Sequence, residues 1–319
     1  MKTAFLYAGQ GSQTVGMGKD FYDNYGSFRS FIDSCDAANP DLRLKEKMFE
    51  GPMEELSKTQ NTQACMAAFA AATTQLLYEN GIRPDVTCGL SLGEYGALYA
   101  ANVFSAEEYV RLTAFRGRVM AEAANGIACA MSAIIGTQAE VVERVCREYT
   151  GPGYVTATNY NCPGQYVICG DEEAVTNAEA LLKENGARRV VRIAVSGPFH
   201  TKFMAPAGEQ LREYFAKMAF AKPQSPLLLN VTGDYYNEAD DLKEILVQQV
   251  QSAVRMEAQI RKMLETGVER FIEIGPGSVL GGFVKKTARA MGMQVEIYSI
   301  DTMEDFVEML DEIAGENNE

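Results

Sequence analysis

The chain has 319 residues, 47% of them apolar, enough to bury a full core and to carry a main domain with an insert. Acidic residues outnumber basic ones by 43 to 29, and the resulting net charge of −14 opposes nonspecific binding to nucleic acid or to an anionic membrane. The 7 cysteines are odd in number, scattered and never paired as C-x-x-C, so neither a zinc site nor a disulfide framework is expected.

Residues 1–7 are too short for the apolar region of a signal peptide, and no apolar run approaches the roughly 18 residues of a membrane span. A soluble, cytoplasmic protein without a metal is therefore expected. Residues 2–7 read as a short buried strand running into the loop Gly9-Gln10-Gly11-Ser12-Gln13 and then a helical region. Residues 61–80 are alanine-rich with a helical pattern, stopped by Gly81-Ile82-Arg83-Pro84 ahead of an apolar strand over 85–88. Gly89-Leu90-Ser91-Leu92-Gly93 then turns into a helix over 94–101. The order is strand, tight turn with a serine at its apex, helix.

Between about residues 126 and 196 the rhythm changes. A strand (129–135), helix (139–149), two strands (154–159 and 165–169), a helix (172–185) and a strand (189–194) follow in turn. Such a β-α-β-β-α-β series closes on itself as a ferredoxin-like module. The expected fold class is thus α/β: a large α/β-hydrolase-like subdomain with a parallel sheet, over residues 1–125 and 198–319, plus an inserted small ferredoxin-like subdomain over residues 126–197. The exit of the insert, Ser196-Gly197-Pro198-Phe199-His200, falls at the junction of the two, where clefts form. Beyond it come a helix over 205–219, a strand over 227–231 and an amphipathic helix over 242–251. A strand over 271–274 ends in Gly275-Pro276-Gly277, followed by a helix to 291, a strand over 295–300 and a polar tail from 315.

The pentapeptide around Ser91 fits the G-x-S-x-G nucleophile elbow, in which the glycines leave room for a sharp turn that lifts the hydroxyl into a cleft. The amides of the following helix, beginning with Leu92, can stabilise the oxyanion formed when a serine attacks a thioester. Taken alone, the pentapeptide also fits a plain glycine turn. A serine hydroxyl needs a base, histidine is the usual one, and the chain contains 1 histidine, His200. A lone histidine also fits an ordinary hydrogen-bonded residue. Two basic clusters stand out against the acidic background, Arg188, Arg189, Arg192 and Lys202, then Lys285, Lys286 and Arg289; each fits either a docking site for an acidic partner or solvated surface.

The glycine loop, the elbow, Phe115-Arg116-Gly117 and Gly197-Pro198-Phe199-His200 together resemble the malonyl-CoA:acyl carrier protein transacylase family. Further stretches fit over nearly the whole chain: residues 159–165 (Asn159, Asn161), Ser252-Ala253-Val254-Arg255, and Glu273-Ile274-Gly275-Pro276-Gly277. The resemblance implies a ping-pong acyltransferase. Ser91 takes malonyl from malonyl-CoA as an ester, and the phosphopantetheine thiol of acyl carrier protein then attacks that ester, with His200 as base and no bound cofactor. It implies oxyanion-hole amides at Gln10 and Leu92, and Arg116 pairing in bidentate fashion with the free carboxylate. Phe199, Asn159 and Asn161 would line the substrate site, and a backbone carbonyl near Ser252 would orient the histidine. Acyl carrier protein and a coenzyme A thioester are the partners implied, with fatty-acid synthesis as the setting, and a monomer or weak dimer is expected. Without the family, Arg116 fits a helix-surface cation alongside Arg111 and Arg118.

Three positions depart from the family pattern: Ala8 in place of proline, Leu90 in place of histidine beside the nucleophile, and Met256 in place of tryptophan. Other readings compete with the enzyme. A patatin-like hydrolase would need an Asp-Gly-Gly context, which the chain lacks. A dinucleotide site is suggested by Gly275-x-Gly277-x-x-x-Gly281 with Glu296 downstream, a looser spacing than the usual fingerprint. A stand-alone transferase serving a polyketide synthase and a noncatalytic carrier-binding scaffold complete the alternatives.

Overall fold

The structure is a computed structural model describing residues 1–194 and 196–316. Its strands are β1 (Thr3–Tyr7), β2 (Val86–Gly89), β3 (Cys129–Ile135), β4 (Val155–Cys162), β5 (Gln165–Asp171), β6 (Arg189–Ile193), β7 (Arg270–Ile274) and β8 (Glu296–Ile300). They form two sheets. One runs in the order β2-β1-β7-β8 with every pair parallel. Parallel neighbours need helical crossovers that cover both faces, so such strands read as continuous apolar runs rather than alternations. Accordingly β1, β2 and β7 are buried at every position.

The second sheet has the order β4-β5-β3-β6 with every pair antiparallel, and two helices, Ala139–Glu148 and Glu172–Glu184, connect its strands. A core of its own, including Ile134, Val142, Ile168, Val175 and Leu182, lies beneath it. Its strand β4 also touches the larger body: Tyr160 N–H donates to Val254 O at 2.9 Å, and Val254 N–H to Thr158 O at 2.8 Å.

The alanine-rich segment forms the helix Thr59–Glu79, buried over most of its length on all sides, as a helix apolar all round must be. It packs against the helix Ala106–Ala124, which begins with a reciprocal cap: Glu108 N–H donates to Ser105 Oγ, and the Glu108 carboxylate accepts from Ser105 N–H. The two helices approach backbone to backbone at Gly117, where an added Cβ would lie 2.7 Å from Thr59 O and 2.9 Å from Gln60 Cα. That approach brings the preceding residue, Arg116, up to Gln63.

Two sequence expectations change. The strand over 227–231 is reduced to single bridges, Leu227 to Thr87 and Leu228 to Tyr235, because the chain turns back at once: Gly233 N–H donates to Leu229 O at 2.8 Å. The turn presents Asn230 to the end of β2. The polar tail expected from residue 315 starts inside a helix, Met303–Glu316, whose Phe306 and Met309 are buried in the main core; residues 317–319 lie outside the described residues. Among the described residues no helix is long and apolar enough to cross a membrane.

Candidate active site

Ser91 sits between β2 and the helix Leu92–Ala100 at φ 55° and ψ −100°, a conformation costing about 1–3 kcal/mol that must be imposed by its surroundings. The flanking glycines provide the room. A Cβ on Gly93 would fall 1.9 Å from Tyr7 O, and one on Gly89 would fall 2.2 Å from Gly93 C, so any side chain at either position would collide with backbone. Two amide side chains hold the turn from outside. Ser91 N–H donates to Asn230 Oδ1 at 2.7 Å, and Ser91 O accepts from Gln249 Nε2 at 2.8 Å. Asn230 Nδ2 also donates to Gly89 O at 2.7 Å.

His200, likewise at positive φ (61°), is tied down by its N–H to Val250 O at 3.0 Å. Its Nδ1 lies 2.9 Å from Gln249 O and 3.1 Å from Ser252 O. Both are acceptors, so Nδ1 carries the proton and Nε2 is left with its lone pair. Ser91 Oγ lies 2.7 Å from that Nε2, and the hydroxyl donates to it. Burial, and next the positive charge of Arg116, push the imidazole down to about 4, against the opposing pull of the two carbonyls. The ring is therefore neutral at neutral pH.

Arg116 is fully buried, which overturns its reading as a helix-surface cation. Arg111 and Arg118 do occupy the exposed face, paired with Glu107 at 3.4 Å and Glu122 at 3.0 Å. Arg116 points the other way. Its Nη1 donates to Gln63 Oε1 at 2.8 Å, and its Nη2 donates to Gln249 Oε1 at 2.9 Å and to Ser91 Oγ at 3.2 Å. The guanidinium lies over the Tyr95 ring at 5.1 Å, and its Nε is buried without a partner. These partners are neutral, so among the described residues the cation beside Ser91 has no carboxylate in hydrogen-bonding contact, and desolvation lowers its pKa.

Ser91, His200, Arg116, Gln10, Asn159, Asn161 and Phe199 all line one cleft of about 670 Å³ between the two sheets. Gln10 is braced through its side chain, donating to Thr59 Oγ1 at 3.1 Å and accepting from Gln63 Nε2 at 3.3 Å. Among the described residues neither the Gln10 nor the Leu92 backbone N–H donates to a protein acceptor. The Leu92 side chain is buried away from the cleft, leaving only its amide relevant, and Ser252 reaches His200 through its carbonyl alone. Asn161 is buried with its Oδ1 unpartnered, while Asn159 is half-buried. Leu90 lines the cleft with Val279 and Phe283 and packs against Gly9, so a wall of hydrocarbon stands where the family pattern has an imidazole. Ala8 and Met256 are buried core residues.

Sequence reasoning missed Gln63, Glu94, Asn230 and Gln249. Glu94, wholly buried, accepts from Asn230 N–H at 2.8 Å and from Gln249 Nε2 at 2.5 Å, and burial raises its carboxyl to about 7. A faint signal existed: Gln63 stands immediately ahead of the alanine-rich run from Ala64, and Asn230 ends Leu227-Leu228-Leu229, each a polar residue at the edge of an apolar stretch.

The dinucleotide reading meets an occupied site. The first amides of the helix Val279–Ala290, which would hold a pyrophosphate, already donate to the buried Glu273: Leu280 N–H at 2.9 Å and Gly281 N–H at 2.8 Å, with Ser299 Oγ at 3.1 Å. Glu296, the would-be ribose ligand, pairs with Arg270 at 2.9 Å. Of the basic clusters, Arg192 is engaged by Glu172 at 2.9 Å and Glu179 at 2.5 Å, and Lys202 lies over the Tyr154 ring at 4.0 Å. Lys286 instead donates to Gln165 at 3.1 Å, and Gln165 lines the cleft. Among the described residues no group of three or more His, Cys, Asp or Glu could hold a metal ion.

Residues 4–306 match the acyl transferase domain family. The chain is 42% identical to the malonyl CoA-acyl carrier protein transacylase of Bacillus subtilis (strain 168), over 91% of this chain and 92% of that protein. The crystal structure of malonyl CoA-acyl carrier protein transacylase from Clostridium perfringens has a TM-score of 0.93 at 36% identity, covering 99% of this chain and 98% of that one. A malonyl-transacylase, PlMCAT, solved in complex with the type II PKS acyl-carrier protein AntF, has a TM-score of 0.92 at 32% identity, covering 98% and 100%.

Proposed function

The chain belongs to the acyl transferase domain family, and from that premise we propose how its residues divide the work of malonyl transfer. The enzyme moves a malonyl group from malonyl-CoA to the phosphopantetheine thiol of acyl carrier protein, without a bound cofactor. One observation carries the division of labour: a single oxygen, Ser91 Oγ, lies 2.7 Å from a neutral imidazole nitrogen and 3.2 Å from a buried guanidinium.

His200 Nε2 takes the Ser91 proton as Oγ adds to the thioester carbonyl, and general-base help of this kind is worth about 10²- to 10⁴-fold. The oxyanion is received by the Gln10 and Leu92 amides, each such donor contributing about 2.7–4 kcal/mol. As the tetrahedral intermediate collapses, the C–S bond breaks and His200 returns its proton to the departing sulfur. Coenzyme A leaves as a thiol and malonyl remains on Ser91 as an ester. In the second half His200 deprotonates the carrier thiol, the sulfur adds to the ester carbonyl, and Ser91 Oγ leaves with the proton. Arg116 binds the free malonyl carboxylate, for which its planar fork suits two oxygens. That carboxylate neutralises the charge beside His200 and so raises the basicity of the imidazole just when a proton must be accepted.

Phe199, Asn159 and Asn161 shape the remainder of the acyl and pantetheine path. We read residues 126–197 as an inserted ferredoxin-like subdomain, supported by the antiparallel order β4-β5-β3-β6 with its β-α-β-β-α-β connectivity. Residues 1–125 and 198–319 make up the larger body, whose α/β-hydrolase likeness rests on a serine at a strand-to-helix elbow beside a parallel sheet. The carrier docks by the Lys285, Lys286 and Arg289 cluster at the cleft, and fatty-acid synthesis in the cytoplasm is the proposed setting, with the protein acting as a monomer.

The test is intact-protein mass spectrometry after brief mixing with malonyl-CoA and no acceptor. Wild type is expected to gain one malonyl, and Ser91→Ala to gain none. A wild type that stays unmodified would remove the reading.

A further inference from the structure

Among the described residues the cleft's polar groups are neutral amides and serine hydroxyls, one imidazole and one guanidinium, yet a carboxylate, Glu94, lies directly beneath them and has no part in the chemistry above. It is wholly buried on the first turn of the helix that follows the nucleophile. Its two hydrogen-bond partners are both donors, Asn230 N–H at 2.8 Å and Gln249 Nε2 at 2.5 Å.

Each partner in turn holds the nucleophile. Asn230 Oδ1 accepts from Ser91 N–H, and Gln249 Nε2 donates to Ser91 O. Gln249 does more: its Oε1 accepts from Arg116 Nη2, and its backbone carbonyl accepts from His200 Nδ1. An amide side chain has one donor end and one acceptor end, and rotation by half a turn exchanges them. If Gln249 turned over, its NH₂ would face the Arg116 guanidinium, donor against donor, and its oxygen would face Ser91 O, acceptor against acceptor. A carboxylate, which can only accept, fixes the donor end toward itself.

We propose that Glu94 is a positioning residue that sets the orientation of the Gln249 amide and thereby aims Arg116 at the acyl carboxylate, a role that rests on the malonyl-transfer reading above. The choice between malonyl and an uncharged acyl group such as acetyl then depends on a residue that touches neither. Burial raises the Glu94 carboxyl toward neutrality, so its retention is costly for packing alone, and a neutral amide of equal size would fill the same space.

The experiment compares Ser91 acylation rates with malonyl-CoA and acetyl-CoA in wild type, Glu94→Gln and Glu94→Asp, each corrected for its folded fraction by circular dichroism. Glu94→Gln offers one oxygen to two donors, Asn230 N–H and Gln249 Nε2, so its NH₂ confronts one of them and the hold on the Gln249 amide is weakened directly or through Asn230. The malonyl rate is expected to fall about ten-fold or more, the scale of one buried charge-assisted hydrogen bond, with a smaller fall for acetyl. If Glu94→Gln does not fold, Glu94→Asp decides, since it keeps the charge but is too short to reach both donors, and it too is expected to lower the malonyl-to-acetyl ratio. An unchanged ratio in a folded variant, whether or not both rates fall, would overturn the proposal, because loss of packing alone lowers both rates together. A wild type that accepts neither thioester would instead overturn the transfer reading and take this one with it.

Discussion

The backbone amide of Ser91 donates to the side-chain oxygen of Asn230 at 2.7 Å, across 139 residues of sequence. The same side chain binds the Gly89 carbonyl, so one asparagine clamps both sides of the strained elbow. Its removal leaves a part-buried donor and a buried acceptor unpaired, the acceptor alone costing about 1–3 kcal/mol.

Asn230→Ala is therefore expected to lower the melting temperature and to slow Ser91 acylation by about 10²-fold, the loss typical of a misplacement of about 1 Å at a reacting atom. Thermal melts followed by circular dichroism, with stopped acylation read by mass spectrometry, check both. Full activity would mean that the glycines and helix alone impose the elbow.

The position of His200 makes a second expectation specific. A free histidine titrates near 6.5, but here the imidazole is held down to about 4. The acidic limb of kcat/KM for malonyl-CoA, which reports the free enzyme, is expected near pH 4 rather than near 6.5. The sign for stability follows from the same shift. Between about pH 4 and 6.5 the unfolded chain binds a proton that the native chain does not, so this group makes stability fall as the pH falls through that window. A limb at 6.5 that persists in Glu94→Gln, where the carboxyl held at about 7 beneath the site is gone, would mean that the ring is solvated before substrate binds.

Arg116 is the second largest cause of that depression after burial. Arg116→Gln removes the charge, so the acidic limb is expected to move upward while malonyl-CoA loses its advantage over acetyl-CoA. Arg116→Lys keeps a charge but cannot supply the fork, so selectivity is expected to fall with a smaller movement of the limb. Initial rates across pH with both thioesters separate the two effects; retained malonyl selectivity in Arg116→Gln would place carboxylate recognition elsewhere.

For carrier docking, Lys286→Glu combined with Arg289→Glu is expected to raise the KM for acyl carrier protein while leaving acylation by malonyl-CoA unaltered, because steering charge acts on encounter rather than on the buried centre. Reversal at Arg188 and Arg189 is the control. If only the control weakens the carrier, docking lies on the face of β6.

The parallel strands, the elbow and the β-α-β-β-α-β segment were legible because each is a local pattern: continuous burial along β1 and β7, glycines around Ser91, and two helices alternating with four strands. The same locality explains the misses. The 227–231 run is apolar enough for a strand, but a turn closed by Gly233 and Leu229 diverts it after two bridges. The helix Met303–Glu316 has no counterpart in the sequence reading, which passes from the strand over 295–300 to a polar tail from 315, although Phe306 lies against Phe21 and Tyr25 from the start of the chain.

What the sequence determined by itself was the inventory: a serine at an elbow, one histidine, an arginine in Phe115-Arg116-Gly117, and the ordered motifs that carry a family resemblance. Tertiary structure alone decided which polar residues join them. Nothing local distinguishes Arg116 from Arg111 and Arg118, since helix periodicity gives a direction but not what stands there. Glu94, Asn230 and Gln249 come from three distant segments and meet beneath Ser91. Burying those groups is tolerable only where each hydrogen bond is met by another segment, and such complementarity exists only after the chain has packed.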